Sequence, residues 1–92
     1  MKVNVKFSVR FREIFGADER QIELQNRANV GDLLDILCDS NDRRIKLFGT
    51  GKNLRPNVLV TKNGRFIVHL NWLDTALSDG DKVEILSLVS GG

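Results

Sequence analysis

The sequence predicts an α+β domain: a mixed sheet of four to five strands with one main helix packed on one face. Three observations carry that expectation. Val3, Val5, Phe7, Val9 and Phe11 alternate with Lys2, Asn4, Lys6, Ser8 and Arg10, the period-two pattern of a strand that buries one face and wets the other. The period changes at Val30, Leu33, Leu34 and Leu37, whose i, i+3, i+4, i+7 spacing is one stripe of a helix. Short apolar runs then return, separated by Asn63-Gly64 and Asp79-Gly80-Asp81, which are turn signals between strands.

In chain order, the first strand is expected to continue to Phe11. Phe15-Gly16-Ala17-Asp18 turns the chain, and Arg20–Gln25 alternates again with Ile22 and Leu24 inward, so the two runs read as a hairpin. Asn29 is placed to cap the helix with its side-chain oxygen, and Asp32 favours the positive end of the helix dipole. The helix is expected to stop near Ser40-Asn41, both of which compete for backbone hydrogen bonds. Asp42 to Pro56 reads as a loop with at most one short helical turn, because Gly49, Gly51 and Pro56 interrupt it. Asn57–Thr61 is the third strand. Asn63-Gly64 suits a type I′ turn, which needs positive φ at both central residues, and Phe66-Ile67-Val68 returns. Leu73–Leu77 is an irregular connection, Asp79-Gly80-Asp81 a tight turn, and Lys82–Val89 the last strand. The first and last strands are expected side by side in the middle of the sheet.

The chain has 92 residues, enough for one domain with its own core. No apolar run approaches the roughly 18 residues of a membrane span, and the alternating N-terminus lacks the unbroken apolar stretch of an export signal. A single cysteine makes no internal disulfide and fits a reducing, cytoplasmic setting. The net charge of +2 is too mild to imply nucleic acid. Arg43-Arg44-Lys46 is the densest basic group; it reads as solvated surface or, less simply, as a patch for phosphate, RNA or an acidic partner.

Catalytic chemistry is hard to find. One histidine and one cysteine do not make a zinc site. His69 has no visible acid–base partner. Cys38 follows the apolar stripe and reads as a buried, inert thiol, with a sulfur-relay role as the alternative. Gly49-Thr50-Gly51-Lys52 fails as a phosphate-binding loop, because Lys46 and Asn53 stand where a glycine and a Ser or Thr are required. Asp32, Asp35, Asp39 and Asp42 read as a solvated helix face. Trp72 without a second aromatic platform reads as a cap on the core.

The unusual feature is the end, Ser87-Leu88-Val89-Ser90-Gly91-Gly92. Two glycines in two given places meet by chance in about 0.5% of chains; a truncation or a tag scar is the other bland explanation. Glycine has no Cβ, so Gly91-Gly92 can thread a narrow channel and adopt any φ. Residues 87–92, read as a flexible tail on a single domain, span roughly 20 Å when extended. Ordering such a tail costs free energy, so a separate docking surface is expected. Leu86 and Leu88 have the opposite parity to Val83 and Ile85 and fall on the face that one helix leaves uncovered, where contiguous apolar surface marks a partner site; a bulge after Ile85 would instead turn them inward.

Lys62-Asn63-Gly64, Leu77-Ser78-Asp79-Gly80-Asp81-Lys82-Val83 and Val89-Ser90-Gly91-Gly92, with Arg12-Glu13 after the first strand, resemble the ubiquitin-like sulfur carriers of the MoaD and ThiS type, closest to the MoaD branch. The resemblance covers nearly the whole chain and implies a β-grasp fold. It also implies that the carboxylate of Gly92, presented by Gly91, is adenylated and then converted to a thiocarboxylate, which gives its sulfur to a pterin precursor in molybdopterin synthesis. Arg12, Leu86, Leu88, Val89 and Ser90 would contact partners. Those partners are an ATP-dependent activating enzyme, a sulfur-donor desulfurase and the large subunit of molybdopterin synthase. The carrier itself would be non-catalytic and hold no permanent cofactor, ATP being used by the activating partner, with no membrane or nucleic-acid role. Where MoaD-type proteins usually carry a Pro-Pro pair, this chain has Ser87-Leu88, and its Asp42–Pro56 stretch is more like archaeal or modifier-type members. A ubiquitin-like modifier joined through Gly92 to lysines is the second reading, and a non-covalent binding module the third.

Overall fold

The computed structural model describes residues 1–88. Its sheet has five strands in the order β2-β1-β5-β3-β4. Strand β1 (Lys2–Phe7) buries Val3, Val5 and Phe7 and exposes the residues between them. Strand β2 (Glu19–Glu23) runs antiparallel to it, with Val3 opposite Ile22. The last strand, β5 (Lys82–Ser87), lies parallel to β1, Val5 beside Val83 and Phe7 beside Ile85. Strand β3 (Val58–Lys62) pairs antiparallel with β5, and β4 (Arg65–Phe66) closes the edge. The first and last strands are therefore interior neighbours, as the residue pattern predicts.

Between β1 and β2 the structure departs from the expectation of a plain hairpin. Helix α1 (Val9–Phe15) stands there. The alternation of β1 carries on through Val9 and Phe11 only by coincidence: Val9 is exposed, and Phe11 is buried from a helix. Phe11 and Phe15 are four apart, which puts both on one helical face, and Phe15 stacks on Phe7 with ring centroids 4.8 Å apart. Gly16 ends the helix at φ 75°, its N–H donating to the Arg12 carbonyl, the left-handed stop that glycine accepts without strain.

Helix α2 (Val30–Leu37) is the expected one. Asn29 and Asp32 form a reciprocal capping box, and Val30, Leu33, Leu34 and Leu37 are fully buried. It ends at Cys38. Ser40, assigned to its stop, instead accepts from the Arg43 N–H and caps a third helix, α3 (Asn41–Phe48). The expectation of a loop over Asp42–Pro56 is thus corrected for its first half. Its interrupting glycines and proline follow the helix rather than break it, and Leu47 and Phe48 join the core. Arg43 lies over the Phe15 ring and Arg44 over Phe48, so α3 is fastened to the body by its basic residues as well as its apolar ones.

The returning strand after Asn63-Gly64 is shorter than expected: Phe66 ends β4, and Ile67–His69 is a 3-10 turn that buries Ile67. A second such turn spans Trp72–Asp74 in the irregular connection. The core, one cluster from Val3 to Ile85, lies between the helices and one face of the sheet. This is the β-grasp arrangement, with three helices rather than one.

Candidate docking surface at the end of the last strand

Strand β5 is held at both ends. At its start, the Asp81 carboxylate accepts from the Ser78 N–H at 2.8 Å and the Asn63 side-chain amide at 3.0 Å, with Lys62 Nζ at 3.7 Å. The Lys82 N–H donates to the Asn63 side-chain oxygen. Asn63 (φ 51°) and Gly64 (φ 85°) adopt the positive φ values of the expected turn. The Asn63-Gly64 and Asp-Gly-Asp motifs, far apart in sequence, are therefore one interlock. Burial pushes the Asp81 pKa up, but the hydrogen bonds from Asn63 and Ser78 and the Lys62 charge outweigh it and hold the carboxyl below its usual range.

At the other end, Ser87 pairs with Val58, and the Leu88 N–H donates to the Asn57 carbonyl at 2.7 Å. Ser87 and Leu88, counted with the tail from sequence, are thus still engaged with β3. A proline at 88 could not make that bond, so Ser87-Leu88 in place of Pro-Pro carries the ladder further along the chain.

The pairing of β5 with β3 is continuous through Ile85, Leu86 and Ser87, with no bulge to turn the leucines inward. Leu86 lies opposite Leu59, half-buried, and Leu88 is 64% exposed. Phe66 and Val68 are exposed and, with Leu59, Pro56 and Trp72, line a shallow cavity of about 180 Å³, which Leu86 adjoins through Leu59. Exposed apolar side chains are ordinary when scattered; here the sheet register sets Leu86 against Leu59 at the rim of that apolar cavity. Leu59, Phe66 and Val68 escape sequence reading because their face depends on the register of β3 and on the early end of β4.

Of the residues expected at the site, the structure brings Leu86 and Leu88 together. Arg12 sits elsewhere, on the exposed side of α1, with its Nε 3.1 Å from Asp18. Val89, Ser90, Gly91 and Gly92 lie outside the described residues. Arg43 and Arg44 are engaged with Asp39 and Asp35 as well as with the two rings, which removes them as a free basic patch. Cys38 is buried, its thiol directed at the Arg43 carbonyl; burial pushes its pKa up to about 11, the reverse of what a sulfur relay needs. His69 is exposed in its 3-10 turn, and Trp72 is half-exposed with its indole N–H on Asn53. Among the described residues no helix is long and apolar enough to cross a membrane.

The model of the ThiS family matches residues 5–92. The chain belongs to the ThiS family. Small archaeal modifier protein 3 of Haloferax volcanii is 36% identical to it over 92 residues, all of both chains. Among solved structures, small archaeal modifier protein 1 of Methanosarcina acetivorans superposes with a TM-score of 0.84 at 32% identity, covering 99% of this chain and 96% of that one. A putative molybdopterin converting factor subunit 1 of Pyrococcus furiosus does so at 0.77 and 34%, covering 97% and 99%. This ThiS-family chain is thus a ubiquitin-like β-grasp protein of the small modifier and sulfur-carrier group.

Proposed function

We infer that this chain is a sulfur carrier whose Gly92 carboxylate is the working group. The observation that supports it is the course of β5. The strand occupies the middle of the sheet, is clamped at Asp81, and runs with its ladder intact to Leu88 beside an apolar patch. Four residues later the sequence reaches Gly92. The patch docks on an activating enzyme, and the diglycine enters that enzyme's site.

There the carboxylate oxygen attacks the α-phosphorus of ATP and pyrophosphate leaves. A desulfurase-derived persulfide attacks the acyl carbon and AMP leaves; a thiol then reduces the acyl disulfide and frees the thiocarboxylate. The side chains that catalyse these steps belong to the partners. The acceptor in this reading is a pterin precursor held by the large subunit of molybdopterin synthase, an assignment supported by the 34% identity to the converting-factor subunit. The full-length 36% identity to a modifier favours a second reading, in which the activated Gly92 is joined to lysines of other proteins.

The intact mass of the untagged protein from its own cells tests both. A terminal oxygen replaced by sulfur, mapped to Gly92, supports the carrier. Lysine conjugates that vanish when Gly92 is deleted support the modifier. Cofactor synthesis that stays intact when Gly92 is deleted refutes the carrier, and immunoblots that show only free protein refute the modifier.

A further inference from the structure

The helix-bearing side of the sheet holds a second concavity at the same end of β5, with different chemistry. Arg10 of α1, Lys46 of α3 and Arg55 of the following loop line a cavity of about 280 Å³ with Asn57 and Ser87, over an apolar base of Phe11 and Ile14. Among the described residues no carboxylate lines it. Among the described residues, none of the three cations is in an ion pair. The Ser87 hydroxyl is buried and has no hydrogen-bond partner among the described residues, a state that costs free energy unless a ligand or water satisfies it. Sequence reading grouped Lys46 with Arg43 and Arg44; in the fold Lys46 still borders Arg43 on one side and also joins Arg10 and Arg55 on the other.

We propose that this cavity is a binding site for a polyphosphate oxyanion, of the pyrophosphate class. Three like charges brought together by three separate segments repel one another, and all three are exposed to an incoming anion. A single carboxylate neutralises one of them. Pyrophosphate, carrying about three negative charges near neutral pH, matches all three. Its oxygens are acceptors, and the lining offers donors: two guanidinium forks, an ammonium, an amide and the unpartnered hydroxyl. The same group occurs free in solution or as part of a nucleoside triphosphate. The site shares Arg55 with the apolar cavity and does not require Gly92.

Amide-resolved NMR titration of the full chain at fixed ionic strength tests this, with pyrophosphate, ATP and adenosine as probes. Saturable shifts at Arg10, Asn57 and Ser87 are expected with pyrophosphate and with ATP, and none with adenosine. Binding by pyrophosphate but not ATP assigns the free ion; equal binding assigns the triphosphate moiety in either source. The double change Arg10→Gln with Arg55→Gln weakens binding roughly tenfold or more, the scale of lost charge-assisted hydrogen bonds. Ser87→Ala weakens it about threefold, and Arg65→Gln, on the exposed edge strand, leaves it unchanged. Deletion of Gly92 also leaves it unchanged, which separates this site from the tail chemistry. Shifts that fail to saturate, that chloride reproduces, or that survive the double change overturn the proposal. So does tighter binding by a glutamate-rich peptide, which would make the occupant an acidic protein segment.

Discussion

Asp81→Ala should unfold the interlock at the start of β5. The carboxylate accepts from the Ser78 N–H at 2.8 Å and the Asn63 amide at 3.0 Å, with Lys62 at 3.7 Å. Hydrogen bonds to a charged group contribute about 1.5–3 kcal/mol each, and stranded donors cost more when buried. The Asp81 side chain is 11% exposed, but Ser78 and Asn63 are solvent-accessible, so water recovers part of the loss. A net cost of about 2–3 kcal/mol follows, or a fall in Tm of roughly 10–20 °C for a domain of this size. Urea denaturation monitored by Trp72 fluorescence measures it, with a lower midpoint and an unchanged slope. The pH dependence gives a second check. The Asp81 pKa lies below its ordinary value of 3.8, so between the two values the unfolded chain binds more protons than the native one. The stabilisation is therefore complete above the unfolded pKa and is lost as pH falls through the folded one. In Asp81→Asn that acid-side contribution should vanish. A cost under about 0.5 kcal/mol, the range of neutral surface changes, or an acid limb identical in wild type and Asp81→Asn would refute the reasoning.

Leu88→Asp should leave stability within about 0.5 kcal/mol, since the side chain is 64% exposed. In the carrier reading it should weaken docking to the activating enzyme by roughly 30-fold, a hot-spot loss, measured as the concentration dependence of Gly92 adenylation. Leu88→Pro removes the donor to the Asn57 carbonyl and should cost about 1 kcal/mol; hydrogen exchange at Leu88 in the wild type should be protected, and exchange at the free-peptide rate would disprove the bond. Leu34→Ala, at a fully buried position of α2, should cost about 2–5 kcal/mol by cavity formation, read by urea denaturation. Cys38, with its pKa near 11, should resist a thiol reagent at pH 8 in the native protein and react at once in urea; rapid native reaction would show that the thiol is neither buried nor inert.

The sequence was legible where one pattern had one structural solution. The α2 stripe with Asn29 and Asp32, the alternation of β1 and the Asn63-Gly64 turn each left no rival. It misled where two periods overlapped. Phe7, Phe11 and Phe15 fit an alternating strand as far as Phe11 and a helical face from Phe11 onward, and only the Phe7–Phe15 stack decides between them. Helix α3 was hidden because its residues are mostly polar; the signal that could have found it is Ser40 as an N-cap, Asp42 in the first turn and Gly49 just past the end. The site was half legible. Leu86 and Leu88 follow from parity along one strand, whereas Leu59 and Phe66 depend on pairing across strands, which no local pattern records. Arg10, Lys46 and Arg55 are farther still, since three separate segments must fold before they share one cavity.

The two surfaces at the end of β5 follow from a single property of a strand. Successive side chains point to opposite faces, so Leu86, opposite Leu59 of the apolar cavity, lies on the other face from Ser87, which lines the basic cavity. Sliding β5 by one residue against β3 would exchange them, burying Leu86 under the helices and exposing Ile85. The clamp on Asp81 prevents that slip, because Asn63 binds both its carboxylate and the Lys82 N–H and so fixes β5 against the β3–β4 turn. The interlock at one end of the strand thereby sets which chemistry meets a partner on each side at the other end. Loss of Asn63 should accordingly be felt at Leu88: in Asn63→Ala, the Leu88 amide should exchange faster than in the wild type even where the core amides of Val83 and Ile85 stay protected. Equal protection at Leu88 in both proteins would show that the β3–β5 ladder alone holds the register.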